Sequence, residues 1–153
     1  MKTRENKRYS IGIILMTGLL MLGLFSSCSK SPKCWGKDKN KGIISASVEI
    51  KCHPDNEEKQ FIIDSDSAYH QVFQSVCELP EIDFNSTTLL GLYAEGNCTI
   101  KYIREVEKQE NNYHYKIIVK SCGTCKCMGY SFNWVTVPKL PQEWGVTFEV
   151  VNK

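Results

Sequence analysis

The 153-residue chain has only three histidines, His53, His70 and His114, and no two stand at a spacing that would put both on one helix face. It contains no Gly-x-Ser-x-Gly, no His-Glu-x-x-His, no Walker loop and no Gly-x-Gly-x-x-Gly. Those absences remove the sequence basis for a nucleophile elbow, a zinc-protease helix, a phosphate cradle and a dinucleotide fold. The one long apolar stretch, Ile11 to Phe25, is 15 residues, short of the roughly 20 that span a bilayer as a helix. No internal repeat or low-complexity tract is visible.

A strong charge of one sign is also missing. The formal net charge is +2, but the segment before Cys28 carries four of the 19 basic residues and one of the 17 acidic ones. From Cys28 onward there are 15 basic and 16 acidic residues, a net charge of −1. The compositional case for nucleic-acid binding, a basic face on a basic domain, therefore falls away.

What is present begins at the N-terminus. Lys2, Arg4, Lys7 and Arg8 precede the apolar stretch, and Ser26-Ser27-Cys28 follows it. A basic n-region, an apolar h-region and a small-residue exit make a secretory signal. The cysteine directly after the exit resembles the lipobox of bacterial lipoproteins. That resemblance implies removal of residues 1–27 and a lipid on Cys28, with the chain held on a membrane of the cell envelope, on the periplasmic side or surface of an outer membrane. Buried acyl methylenes contribute about 0.8 kcal/mol each to such an anchor. The compartment is oxidising, so cysteines there pair.

"SKSPKCWGKDKNKG" follows, with Lys30, Lys33, Lys37, Lys39 and Lys41 opposed only by Asp38. It lacks apolar periodicity and holds Pro32, Gly36 and Gly42. Residues 28–41 read as a flexible basic tether; attraction to anionic head groups is the functional alternative. Residues 42–153 read as a single globular domain of one core's size.

Within that domain, Ile44, Ala46, Val48, Ile50 and Cys52 alternate with polar residues, as a half-buried strand does. "FII" at 61–63 is a short strand. Over 66–78, Tyr69, Val72, Phe73 and Val76 make one helical stripe, capped by Ser65 or Asp66 and ended by Pro80. "TTLLGLYA" is apolar enough for a central strand. Residues 97–108 alternate through Cys98, Ile100 and Tyr102, then slip near Ile103, which reads as a bulge. "QENN" is a hairpin turn, and strands follow at 113–121, 130–137 and 145–151. About seven strands and one helix predict an α+β domain, a mostly antiparallel sheet or partly closed barrel with the helix on one side.

"LPEIDFNSTTLLGLYAEGNCTI" and "NWVTVPKLPQEWGVTFEV" resemble small envelope lipoproteins of Gram-negative bacteria. More distantly they resemble the C-terminal domain of the PrcB-type protease complex subunit. The landmarks are Phe73, Pro80, Ile82, Asp83, Phe84, Leu89, Leu90, Gly91, Gly96, Val137, Pro138 and Lys139. The resemblance implies a compact β-rich accessory domain without catalytic residues, and an envelope protein partner such as a protease. Physically, Asp83 suits an Asx-turn and Phe84 a plug beneath it.

The remaining signal is the cysteines. A zinc site usually needs two ligand pairs, and only Cys122–Cys125 has the right spacing. A thiol-disulfide centre wants its Cys-x-x-Cys at a helix N-terminus, whereas "MGYSFNWV" reads as a strand. The disulfide reading has geometry behind it. If "QENN" closes a hairpin, 108 faces 113, and Cys98 lies across from Cys122 or Cys125 after a slip of a residue or two. Such a bond closes a loop of about 25 residues, worth roughly 3 kcal/mol. With Cys28 lipidated, Cys34, Cys52, Cys77, Cys98, Cys122, Cys125 and Cys127 remain, so three pairs leave one thiol. Cys52 with Cys77, or Cys34 with Cys52, stay open.

The sequence thus predicts a disulfide-stabilised lipoprotein that is a non-enzymatic binding or accessory module, with no metal, cofactor or nucleic acid. Trp35, Tyr130, Trp134 and Trp144 are candidates for its contact surface. The alternatives are an oxidoreductase using Cys122 and Cys125, or a protease-associated subunit or inhibitor.

Overall fold

The computed structural model describes residues 36–73, 77–123 and 127–153. Among them the chain runs through β1 (Lys39–Gly42), β2 (Ala46–Val48), β3 (Gln60–Ile63), α1 (Asp66–Val72), β4 (Thr87–Asn97), β5 (Thr99–Gln109), β6 (Asn112–Cys122), β7 (Met128–Pro138) and β8 (Gly145–Asn152). These strands form two four-stranded sheets: sheet A in the order β1-β5-β6-β8, and sheet B in the order β2-β7-β4-β3.

One long hairpin organises both. β5 and β6 pair from Gln109↔Asn112 to Thr99↔Cys122, and β4 and β7 pair from Asn97↔Met128 to Thr87↔Pro138. The hairpin is bent at its middle so that its two halves fall in different sheets. The inner arm turns through a single residue, Cys98, which takes a left-handed φ of 61°. The outer arm leaves sheet A after Cys122 and joins sheet B at Met128. The Cys98 N–H closes the bend by donating to the Cys127 carbonyl at 2.7 Å.

The bend presses the sheets together. Leu90, Leu92, Ala94, Val135 and Val137 of sheet B meet Tyr102, Val106, Tyr113, Tyr115, Ile117 and Val119 of sheet A in the main core. A second core lies on the other side of sheet B, where Phe61, Ile63, Leu89 and Trp134 pack under Tyr69 of α1, under Phe73 just after it and under Phe84. β4 is therefore covered on both faces over part of its length, which is why "TTLLGLYA" is continuously apolar rather than alternating. Ser65 caps α1, its hydroxyl accepting from the Ala68 N–H at 3.4 Å.

Several expectations are corrected. The sheets stay open and do not close into a barrel, and sheet A is mixed: β1 runs parallel to β5 and β8 parallel to β6. The strands form two sheets and not one, because β4 hands over to β5 across a sheet corner instead of a hairpin. α1 stops at Val72, short of residue 78, with Phe73 leaving helical geometry as its C-cap; Val76 lies outside the described residues. Lys39–Gly42, of which Lys39, Asn40 and Lys41 fall within the stretch that reads as tether, is the edge strand of sheet A. Asp38 holds it there, one carboxylate oxygen accepting from the Tyr102 N–H and the other from Arg104, both at 2.9 Å.

There is also no bulge at Ile103, since the β5–β6 register runs unbroken. The alternation only looked lost because the inward position after Tyr102 is Arg104. Burying a guanidinium requires partners. Asp38 supplies one at 2.9 Å and the buried Asn133 another, its Oδ1 accepting from Arg104 Nε at 3.0 Å.

Candidate binding surface

α1 covers only part of the outer face of sheet B. Beyond it, period-two alternation brings Tyr93 of β4 and Met128, Tyr130 and Phe132 of β7 to the same face, with Tyr93 directly opposite Phe132 and Glu95 opposite Tyr130. Tyr130 is 62% exposed and Met128 67%. The Tyr93 and Tyr130 rings stack at 6.0 Å, and Tyr93 meets Phe132 edge-on at 5.3 Å. His53, from the loop before β3, leans over both Tyr130 and Phe132 at 6.3 and 6.4 Å. Lys59 places its ammonium 5.1 Å from the Tyr93 centroid. The Tyr93 hydroxyl donates to Glu95 at 3.4 Å; loss of hydration and the Glu95 charge raise its pKa.

An outward sheet face is ordinarily polar. Here it is a contiguous set of rings with a cation and a carboxylate at its margins. Exposed patches of this kind mark interaction surfaces, and tyrosines with few rotatable bonds are favoured there. The face is also rigid: Phe132 stacks on the buried Trp134 at 5.7 Å, which in turn contacts Phe61 and Phe73 at 5.4 and 5.3 Å. The patch is thus the exposed end of an aromatic chain rooted in the second core.

The four aromatic candidates from the sequence separate. Tyr130 belongs to the exposed face. Trp134 is core, 2% exposed, with no hydrogen-bond partner for its indole N–H. Trp144 is half-buried at the far end of the main core, edge-on to Tyr113 at 5.6 Å and under the Lys108 ammonium at 4.7 Å. Trp35 lies outside the described residues. Tyr93, Phe132 and His53 join the face from outside that set; the two-residue steps from Trp134 through Phe132 to Tyr130 are the sequence signal for one of them.

Of the cysteines, Cys52 and Cys77 form a disulfide with Cα atoms 6.4 Å apart. It ties the loop after β2 to the segment after α1, beside the second core. Cys98 and Cys122 are each disulfide-bonded and are bridge neighbours at the hairpin corner. Cys127 is free and exposed. Cys122 ends β6 and is followed by Gly123 at a φ of 107°; among the described residues no helix N-terminus stands beside it to lower a thiol pKa. Cys28, Cys34 and Cys125 lie outside the described residues.

Asp83 and Phe84 lie in the turn before β4. The Asp83 carboxylate accepts from the Ser86 hydroxyl at 2.6 Å and the Asn85 N–H at 3.0 Å, which lowers its pKa. Phe84 is buried, 5.5 Å from the Tyr69 ring. Pro138 ends β7 opposite Thr87, and Lys139 then clamps the turn, its ammonium bonded to the carbonyls of Phe84, at 2.7 Å, and Asp64. These residues are scaffold for the second core. Among the described residues no group of three His, Cys, Asp or Glu side chains is placed to hold a metal ion.

Compared with protein-family models, with curated proteins and with solved structures, the chain matches none.

Proposed function

We propose that this chain is a disulfide-stabilised lipoprotein of a Gram-negative envelope that presents the Tyr93–Tyr130–Phe132 face to another envelope protein and catalyses no reaction itself. The aromatic face carries the reading: exposed rings continuous with a packed core lose little conformational freedom on binding. The signal segment and Cys28 supply the location, with the lipid holding the domain at the outer membrane. A protease is the partner class that the resemblance to the PrcB-type subunit suggests.

The experiment is native electrophoresis of gently solubilised envelopes. The wild-type chain is expected in a species larger than itself, and Tyr93→Ser/Tyr130→Ser in a species of its own size at equal abundance. A wild-type chain that runs alone, or a double variant that keeps the larger species, overturns the reading.

A second reading is thiol-disulfide exchange centred on Cys122 and Cys125. Its support is the free, exposed Cys127 beside the disulfide-bonded Cys98 and Cys122. It requires an accessible low-pKa thiol, and alkylation of the native protein across pH tests for one.

A further inference from the structure

The outer face of sheet A is crossed by rows of side chains, one from each strand. One row is Lys41, Glu105, Lys116 and Glu149. Its charges alternate, and Glu105 reaches Lys41 at 3.9 Å and Lys116 at 3.8 Å. The next row is Lys39, Ile103, Ile118 and Val151, the last three half-buried. In the row after that, Lys101 stands directly opposite Lys120. Like charges facing each other across a ladder destabilise it. Among the described residues no carboxylate pairs with Lys37, Lys39, Lys101 or Lys120. One end of this face is therefore an apolar row bordered on one side by unneutralised ammonium groups and on the other by the charge-alternating row.

The chain enters the domain at that end. A Cβ on Gly36 would stand 2.7 Å from the Lys101 ammonium, so the backbone there runs beside one lysine of the basic row. Gly36 is eight residues after Cys28, a reach of at most about 29 Å.

We infer that this end of sheet A docks on anionic lipid head groups, the lysines against phosphates and the Ile103–Ile118–Val151 row against the acyl boundary. Lysines near an anionic membrane surface contribute additively, and partly apolar surfaces add to them. Docking this face leaves the aromatic face of sheet B, on the opposite side of the sandwich, directed away from the membrane. The inference rests on the lipoprotein reading for its setting but concerns a different face from the one proposed for the protein partner.

The test uses the disulfide-bonded mature chain with Cys28→Ser, which carries no lipid. It is cosedimented with phosphatidylcholine vesicles, with and without phosphatidylglycerol. Binding is expected only to the anionic vesicles and falls as salt rises. Lys101→Gln/Lys120→Gln weakens it by about twentyfold or more without lowering the unfolding temperature, because the variant relieves a like-charge pair. Lys51→Gln/Lys108→Gln, which removes the same charge outside the row, leaves binding nearly unchanged. Equal binding to both vesicles, no binding to either, or equal loss in the two double variants overturns the inference. Native chain lacking acyl mass on Cys28 would instead overturn the anchoring, whatever the vesicles show.

Discussion

Gly91 lies directly opposite Trp134 in the β4–β7 ladder, and a Cβ on Gly91 would stand 2.0 Å from an indole ring carbon. The glycine is the recess in which the indole sits. Trp134 in turn supports Phe132 and, through it, the exposed rings.

Gly91→Ala should therefore force the indole out of its place. Overpacking of this kind costs about 1–3 kcal/mol, and the indole is enclosed by Phe61, Phe73 and Phe132, which limits relaxation. Denaturant unfolding should show the loss. Near-ultraviolet circular dichroism should show a changed aromatic signal even where the variant remains folded.

Asp38 joins the first described residues of the chain to the main core through Arg104. Asp38→Ala leaves the guanidinium with Asn133 alone and the Tyr102 N–H without its acceptor. The cost is about 1–3 kcal/mol, toward the lower end because Asp38 is partly solvated. The change should be local: hydrogen exchange at the Ile43 amide, which donates to the Val106 carbonyl at 2.9 Å, should speed up more than exchange in β6. Uniform acceleration across both strands would mean that Asp38 is not a clamp on β1.

The cross-link between Cys52 and Cys77 spans 25 positions of sequence. Replacing both with alanine should lower stability by about 3 kcal/mol through the freed unfolded chain. Its effect should add to that of Asp38→Ala, because the two act on opposite sides of the sandwich and share no partner.

Acid and alkali should act through different residues. The Asp83 pKa is lowered in the fold by the Ser86 and Asn85 hydrogen bonds. Its contribution is present above the ordinary carboxylate pKa and is lost as pH falls through the lowered one. Asp83→Asn should thus be less stable than wild type at neutral pH, with the gap closing on acidification. Burial pushes Tyr69 up to about 12 and raises Tyr115 as well. Their contribution is full below the ordinary tyrosine pKa of about 10 and declines from there to the raised values. Unfolding measured from neutral pH into alkali should show that decline, reduced in Tyr69→Phe.

Much of this architecture was legible in the sequence. The β5–β6 register could be read because "QENN" fixes where the strands reverse and each pair up to Thr99↔Cys122 follows by counting; beyond the corner the β4–β7 pairs are shifted by four. β4 was legible from its continuous apolar run. The division into two sheets was not. Cys98 turns the inner arm in one residue, and the alternation on either side gives no sign that the chain changes sheet. β1 was hidden because all four of its side chains are exposed; its pairing depends on Asp38, 66 positions from Arg104. Arg104 itself concealed the true period of β5, since a buried charge resembles a break in the pattern until its partners are seen. The exposed aromatic face was half visible: Tyr130 stood out as an aromatic, whereas His53 and Tyr93 join it only through tertiary packing.

Contact between the aromatic face of sheet B and a partner protein can be read in intact cells with a photo-crosslinking amino acid placed at Tyr130, and separately at Thr147 on sheet A. The prediction is one discrete protein adduct from position 130, weakened by Tyr93→Ser, and none from position 147. No protein adduct from position 130, or the same adducts from both positions, would contradict it.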